Sequence, residues 1–167
     1  MFRERLTPNR IALTNSGTIL GSSVDAARTS HGFIRSSGGD IVTFSLPDAG
    51  SGGGLGTFPS AINSGGAVVG SYADQGGVWH SFLRSADGML ASFDPPGASL
   101  SGAIRINASG EVVGGYQDST VTNLGYIRSP SGAFTTFSLV GTGLGTVIAT
   151  VNSAGSFTGY FGVAALC

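Results

Sequence analysis

Three kinds of ionisable side chain recur at fixed spacings along this chain. They are two histidines, three aspartates and three arginines: His31 and His80; Asp25, Asp74 and Asp118; Arg35, Arg84 and Arg128. Histidines at equivalent positions can share a metal ion, aspartates can ligate calcium, and arginines can bind the carboxylate of an acidic sugar. The chemistry open to the chain therefore depends on which structural elements carry these positions.

The spacing of the histidines and aspartates favours structural roles. Leu124 stands where a third histidine would be, and zinc requires three or four ligands, with Cys167 remote in the pattern. Each aspartate falls where a strand would end, so its carboxylate can accept backbone N–H groups two residues on and hold a turn. Calcium needs about six to eight oxygens, and each loop offers a single aspartate. Ligand binding at these positions is the alternative interpretation, and no metal or cofactor is expected.

The arginines and the recurring aromatic residues are also predicted to be structural. Each arginine follows an aromatic residue by two positions, which places both on one face of a strand. We expect it to pair with a carboxylate or with carbonyls of the neighbouring unit, and an arginine-lined pocket for an acidic sugar is the alternative. Four aromatic residues that could stack on sugar rings are expected instead in the core between units: Tyr72, Tyr116, Phe161 and Trp79.

Sequence motifs for catalysis are weak. The chain has no Gly-x-Ser-x-Gly sequence, and its nine acidic residues offer no pair marked out as general acid and base. The 52–56 segment is rich in glycine but lacks the lysine and the serine or threonine of a phosphate-binding loop. The residues from Asp74 to Trp79 resemble an Asp-box only faintly. These observations argue against an enzyme of the nucleophilic or phosphate-binding classes.

The histidines and arginines lie within a repeated phrase, and each aspartate comes six residues before a copy of it begins. Its three copies are His-Gly-Phe-Ile-Arg-Ser, His-Ser-Phe-Leu-Arg-Ser and Leu-Gly-Tyr-Ile-Arg-Ser, which begin at His31, His80 and Leu124 and so are 49 and 44 residues apart. Further residue types recur in register with this phrase. They are an Asn or Thr that opens a turn (Thr14, Asn63, Asn107, Asn152), a Gly (Gly21, Gly70, Gly114, Gly159) and a later Phe (Phe44, Phe93, Phe137). A period of this size indicates a repeat architecture.

The repeat unit is predicted to contain four short antiparallel strands. In the second copy, short apolar runs lead into and out of the turns at Asn63 and Ala86, which is typical of two hairpins. Four such strands per unit predict an all-β, β-propeller-type repeat of about three and a half blades, and a β-solenoid is the alternative. The units are expected at 11–46, 60–95 and 103–139, with a half unit at 146–161, in one repeat domain that spans 1–167.

The number of units is below that of a closed propeller, which needs about four to eight blades. An unclosed sheet presents strand edges that invite association. We therefore expect a fragment of a longer repeat protein, and the alternatives are a protomer that closes a ring with its own copies and an open arc.

The pattern from Asn63 to Ala98 resembles the bacterial extracellular HAF repeat family. Its elements there are Asn-x-x-Gly-x-Val-Val-Gly-x-Tyr-x-Asp, then His-x-Phe-Leu-Arg-Ser, then Gly-x-x-x-x-Phe-Asp-x-Pro-Gly-Ala, and the resemblance extends over nearly all of 11–161. It implies a secreted or surface-associated repeat protein, and it supplies no catalytic residue set. The chain departs from the pattern at Leu124 and at the residues that replace Asp94-Pro95 in the other copies.

Composition limits the partners. The net charge of −1 argues against nucleic acid, which requires a clustered basic surface, and no apolar run approaches the length of a membrane span. The 1–10 segment is not a complete signal peptide, so the extracellular location follows from the resemblance alone.

Taken together, the sequence predicts a non-catalytic extracellular repeat module that binds a glycan or protein ligand or acts as a scaffold. Self-association through open blade edges is a further possible interaction. The alternative function is part of a secreted propeller enzyme, such as a polysaccharide lyase or hydrolase.

Overall fold

The computed structural model describes residues 9–14, 16–138, 143–152 and 155–163, and every regular element within them is a β-strand. Fourteen strands follow one another along the chain. They are β1 Asn9–Leu13, β2 Ile19–Val24, β3 Ser30–Arg35, β4 Ile41–Phe44, β5 Gly56–Ile62, β6 Val68–Ala73, β7 Trp79–Arg84, β8 Leu90–Phe93, β9 Ala98–Ile106, β10 Val112–Asp118, β11 Asn123–Arg128, β12 Phe134–Phe137, β13 Gly143–Val151 and β14 Phe157–Val163.

Consecutive strands pair antiparallel in groups of four. Strands β1–β4 form blade 1, β5–β8 form blade 2, β9–β12 form blade 3, and β13–β14 form a hairpin that begins a fourth blade. Blades 1 and 2 are also joined by a single parallel bridge between Ser30 and Gly56. Because pairing is antiparallel within each blade, this architecture is of the propeller type and is not a β-solenoid, in which successive turns of chain would pair in parallel.

All the well-described hairpin turns share one local design. The backbone carbonyl of a polar residue at position i accepts the N–H of residue i+3, and residue i+3 has a positive φ. Examples are Asn63 with Gly66 (φ 85°) and Asp74 with Gly77 (φ 81°). This is a type I turn followed by a left-handed residue, a common three-residue hairpin connection. Glycine suits position i+3 because it carries no Cβ.

Successive blades pack face to face through two apolar clusters. Between blades 1 and 2 the cluster contains Leu20, Phe44, Leu46, Val68, Tyr72 and Phe82. Between blades 2 and 3 it contains Ala61, Val69, Ala103, Ile106, Val112, Tyr116 and Tyr126. The first strands of successive blades also contact each other, so β1, β5, β9 and β13 form the inner side of the arc.

Close packing explains the recurring glycine in the second strand of blades 2 and 3. A Cβ on Gly70 would lie 2.2 Å from the carbonyl oxygen of Phe58 and 2.8 Å from the Phe82 ring. A Cβ on Gly114 would lie 2.2 Å from the carbonyl oxygen of Gly102. Both positions face an irregularity in the first strand, where the two backbones approach closely.

The strands predicted for the second unit are confirmed, with one difference in extent. The first strand of blade 2 begins at Gly56 and that of blade 3 at Ala98, four to five residues before the predicted units. The added residues, 56–59 and 98–102, pair with the end of the second strand of the same blade. The described residues contain no helix long and apolar enough to cross a membrane.

Candidate functional site

The three recurring aspartates lie at the turn between the second and third strands of their blades. Oδ1 of Asp25 accepts the N–H of Thr29 at 2.8 Å, and Oδ1 of Asp74 accepts the N–H of Val78 at 2.8 Å. Asp118 accepts the N–H of Thr122 at 3.0 Å. The predicted turn-holding role is confirmed, with the main donor four residues on. The N–H two residues on also interacts with each carboxylate: that of Ala27 with Asp25, that of Gly76 with Asp74 and that of Thr120 with Asp118.

These hydrogen bonds favour the ionised carboxylates. The N–H of Thr29 holds the pKa of Asp25 below its ordinary value, assisted by His31, and the N–H of Val78 does the same for the pKa of Asp74. The hydroxyl of Thr120 is the main cause of the lowered pKa of Asp118. The aspartates are therefore anionic anchors for a turn and are poorly suited to donate a proton.

Each histidine contacts the aspartate of its own blade. Nε2 of His31 lies 3.2 Å from Oδ2 of Asp25, and its Nδ1 lies 2.7 Å from Oγ of Ser45. Nε2 of His80 lies 3.7 Å from Oδ2 of Asp74, and its Nδ1 lies 2.8 Å from Oδ2 of Asp94. Each imidazole thus ties the turn after the second strand to the end of the fourth strand.

The rings and hydroxyls around His80 continue into the interface with blade 3. Tyr72 stacks on the His80 ring at 5.1 Å, and Oδ1 of Asp94 accepts the hydroxyl of Ser101 at 2.5 Å. That hydroxyl lies 2.5 Å from Oγ of Ser81, which in turn lies 2.9 Å from the hydroxyl of Tyr126. Burial raises the pKa of Tyr126, so this buried polar cluster is neutral apart from Asp94 at its rim.

Two of the three recurring arginines lie over an aromatic ring of the preceding blade. Cζ of Arg84 is 5.3 Å from the centre of the Phe44 ring, and Cζ of Arg128 is 4.8 Å from that of Phe93. Nη1 of each donates to the carbonyl of the following residue in its own blade, at 3.3 and 3.4 Å. Arg35, in blade 1, is exposed.

An aromatic ring thus takes the place of the carboxylate or carbonyl that was expected on the neighbouring blade. The guanidinium is planar and more weakly hydrated than an ammonium group, so it loses less when it stacks on a ring inside an interface. The Nε atoms of Arg84 and Arg128 are buried without a hydrogen-bond partner, which fits a group held by its flat face.

The aromatic residues divide between the core and the surface. Tyr72 and Tyr116 are buried between blades, as predicted, and the side chain of Phe161 lies outside the described residues. Trp79 was also expected in the core, but it is 38% exposed and contacts Phe58 at 5.0 Å. It begins the third strand, where blades 1 and 3 carry Ser30 and Asn123, so the repeated interface does not require it.

The asparagines that open the first turn of each blade also connect successive blades. Nδ2 of Asn63 donates to the carbonyl of Asn107 at 3.0 Å, and Nδ2 of Asn107 donates to the carbonyl of Asn152 at 2.9 Å. Oδ1 of Asn63 remains in its own turn, where it accepts the N–H of Ala67 at 3.0 Å. Thr14 holds this position in blade 1 and has no amide to donate to blade 2.

A cleft opens between blades 1 and 2 at this end of the sheets. It has a volume of about 240 Å³, and its walls include Thr14, Thr18, Asn63, Ser64 and Arg84. A second cavity, of about 290 Å³, lies between the first strands of the blades beside Ser60 and Arg105. Within the described ranges, no group of three or more His, Cys, Asp or Glu residues is arranged to hold a metal ion; Cys167 lies outside them.

Comparison with known proteins gives little. No family model matches the chain, and no curated protein matches it. Among solved structures, a selenomethionine-substituted virginiamycin B lyase from Staphylococcus aureus matches over 95% of this chain and 74% of its own, with 11% identity and a TM-score of 0.43. That degree of similarity assigns neither an activity nor a ligand to this chain, and the fold described above rests on strand pairing and blade packing.

Sequence reasoning missed two of the contacts that join blades, the arginine–phenylalanine stack and the asparagine bridge. The Arg and Phe columns were both visible, but the Phe that meets each arginine lies one repeat earlier. The Asn column was assigned to a turn only, although a residue that needs nothing beyond a turn acceptor could equally be Asp or Ser. Asn at three of four copies was the available signal for a role that uses the amide N–H₂.

Proposed function

We propose that this chain is a non-catalytic, exported repeat module, related to the HAF repeats, whose blades form a rigid scaffold for binding. The observation that supports this most directly is that the recurring polar residues make the same structural hydrogen bonds from blade to blade. Asp25 and Asp74 hold turns in the same way as Asn63 does, with a side-chain oxygen on the N–H four residues on. A residue column that serves a turn in every blade has a structural reason to recur.

The contacts between blades support the scaffold role independently. The Arg-on-Phe stack occurs at both complete interfaces, between blades 1 and 2 and between blades 2 and 3. The asparagine bridge occurs between blades 2 and 3 and between blade 3 and the last hairpin. Each of these contacts occurs at two junctions, and both occur between blades 2 and 3. Contacts that recur between successive sheets make a stiff frame, on which loops are free to vary and to carry contacts with a ligand.

Export is proposed on the resemblance of 63–98 to an extracellular repeat family. It is tested by fractionating the native cells with an antibody to this chain. Recovery from the medium or the cell surface is expected, and recovery from the cytoplasm alone would contradict it.

The rival function, part of a polysaccharide lyase or hydrolase, has one observation in its favour. His80 lies between Asp74 and Asp94, and all three side chains are between a quarter and about a third exposed. A histidine between two carboxylates is a possible acid–base group. The polar contacts of this group to a turn and to the blade 3 interface, described above, are what favour the structural assignment.

The two functions separate in an assay of the intact protein. We expect no release of reducing ends and no unsaturated product from acidic or neutral polysaccharides. Product release that is lost in His80→Gln, at an unchanged melting temperature, would overturn the proposal in favour of the enzyme. A glycan array on the same protein tests binding, and light scattering tests self-association, for which a discrete oligomer is the expected signature.

A further inference from the structure

The cleft between blades 1 and 2 exists where the repeat is broken. At the two later junctions an asparagine amide spans from one blade to the next, through Asn63 and Asn107. Thr14 uses its hydroxyl within its own turn, where Oγ1 accepts the N–H of Thr18 at 3.1 Å and lies 2.8 Å from Oγ of Ser16. No amide bridge from this position reaches blade 2, and the cleft opens beside it.

The wall of the cleft combines uncharged polar residues, one cation and a substantial apolar part. The hydroxyl-bearing residues are Thr14, Ser16, Thr18 and Ser64, and Asn63 also lines the cleft, although its side-chain amide is engaged in its own turn and in the bridge to blade 3. Arg84 is the charged residue of the lining, and Ile34, Val42 and Ile62 give it an apolar side. A cation, several hydroxyls and a broad apolar side form a combination that suits a polar ligand with a C–H face.

The guanidinium of Arg84 is held in place, but its N–H groups make only weak hydrogen bonds. The Phe44 ring fixes the guanidinium from blade 1, and Nη1 makes a long bond of 3.3 Å to the carbonyl of Ser85. The nearby Asp87 carboxylate is turned to its own loop, where it accepts the hydroxyl of Ser85 and the N–H of Met89. The Asp87 charge acts on Arg84 only through space, and no carboxylate of the described residues is in ion-pair contact with it. Arg84 therefore presents a positioned guanidinium, whose planar shape matches a carboxylate in two parallel hydrogen bonds.

We propose that this cleft binds a monosaccharide that carries a carboxylate, such as a uronic acid unit. The carboxylate faces Arg84, the sugar hydroxyls face Thr14, Thr18 and Ser64, and the C–H face of the ring lies toward Ile34 and Val42. A volume of about 240 Å³ is slightly below the range of about 300–1,000 Å³ typical of drug-sized ligands, which limits the occupant to one sugar unit. The inference deepens the binding role proposed above and rests on it.

The test measures binding of D-glucuronate and of D-glucose to the whole chain by calorimetry or NMR. Because a charge-assisted hydrogen bond adds more than a neutral one, glucuronate should bind at least about tenfold more tightly than glucose. Arg84→Gln should reduce glucuronate binding by about tenfold or more and leave glucose binding unchanged. Arg128→Gln is the matched control, since it removes the equivalent stack in blade 3 and should leave glucuronate binding unchanged.

Thr14→Asn is the second variant, because Arg84→Gln also removes an interface contact. The new amide should bridge to the carbonyl of Asn63, narrow the cleft and weaken glucuronate binding, while the melting temperature stays the same or rises. Equal binding of glucose and glucuronate, absence of glucuronate binding, or a Thr14→Asn protein that binds as wild type does would each overturn the site. Such a failure leaves the scaffold proposal standing, whereas polysaccharide cleavage by the intact protein would overturn the scaffold proposal and not the site.

Discussion

Cζ of Arg128 lies 4.8 Å from the centre of the Phe93 ring on the preceding blade. Cζ of Arg84 has the same relation to Phe44, at 5.3 Å. The repeat thus places a cation on the third strand of one blade and the ring that receives it on the fourth strand of the blade before. Blade 2 takes part in two such stacks, one through Arg84 and one through Phe93.

This stack should appear as an energetic coupling between the two residues. In a double-mutant cycle with Arg128→Met and Phe93→Leu, measured by denaturant unfolding, we expect a coupling of about 0.5–2 kcal/mol. Arg35→Met is the matched control, since Arg35 is exposed, and it should change the free energy of unfolding by less than about 0.5 kcal/mol. If the effects of Arg128→Met and Phe93→Leu on the free energy of unfolding simply add, the ring and the guanidinium are adjacent without a stabilising interaction.

The two roles of Asn63, the bridge to blade 3 through Nδ2 and the turn hydrogen bond through Oδ1, should be separable by mutation. Asn63→Asp keeps the oxygen that accepts the N–H of Ala67 but replaces the amide donor with a carboxylate oxygen that faces the Asn107 carbonyl. We expect a loss of about 1–3 kcal/mol in the free energy of unfolding, as for a buried carbonyl that loses its partner.

The control for this change is Thr14→Asp, in which the residue also serves the turn but no bridge exists to lose. Its unfolding free energy should stay within about 0.5 kcal/mol of wild type. Equal losses for the two variants would mean that the turn, and not the bridge between blades, is what Asn63 supports.

Acid should remove the contribution of the turn aspartates. The pKa of Asp74 is lowered from its ordinary value of 3.8 by the N–H of Val78, so the folded state favours the carboxylate. Stability from this group is therefore fully present above about pH 4 and is lost as the pH falls through the lowered folded pKa. The melting temperature of Asp74→Ala should lie below that of wild type at pH 7, and the gap should close toward pH 2. A gap that is constant with pH would contradict this account.

One turn carries a side chain in a conformation that favours glycine. Val121 has a φ of 64° at the turn position that Gly77 fills in blade 2 with a φ of 81°, and it is 69% exposed. A left-handed conformation costs an L-residue about 1–2 kcal/mol, of which the greater chain entropy of glycine offsets about 0.5–1. Val121→Gly should thus raise the free energy of unfolding by several tenths of a kcal/mol or more.

The reciprocal change is the control for this turn. Gly77→Val should lower the free energy of unfolding by several tenths of a kcal/mol or more, since the side chain would occupy the left-handed conformation and the loss of glycine chain entropy offsets only part of that cost. Opposite signs for the two variants are expected in thermal or urea unfolding. Destabilisation by both would show that Val121 makes a favourable contact that outweighs its backbone strain.

The sequence alone determined the strands and the turns of this protein. A side-chain acceptor such as Asn63 and a left-handed glycine such as Gly66 sit three residues apart, so the whole hydrogen-bond pattern of the turn lies within five residues and can be read from them. The repeat period then shows which four strands belong to one unit, and from this the antiparallel blades could be predicted.

Only the tertiary structure decided what the recurring residues contact beyond their own blade. The partners of Arg128 and Asn63 lie 35 to 44 residues away, and which one is met depends on the sheet face and on how the next blade rests on it. The cleft beside Thr14 also depends on how the blades pack, because the lack of an amide at this position opens a gap only where a carbonyl of the next blade lies within hydrogen-bond distance. Local hydrogen-bonding chemistry is encoded over short stretches of chain, whereas the fit of one sheet against another is settled by all of their side chains together.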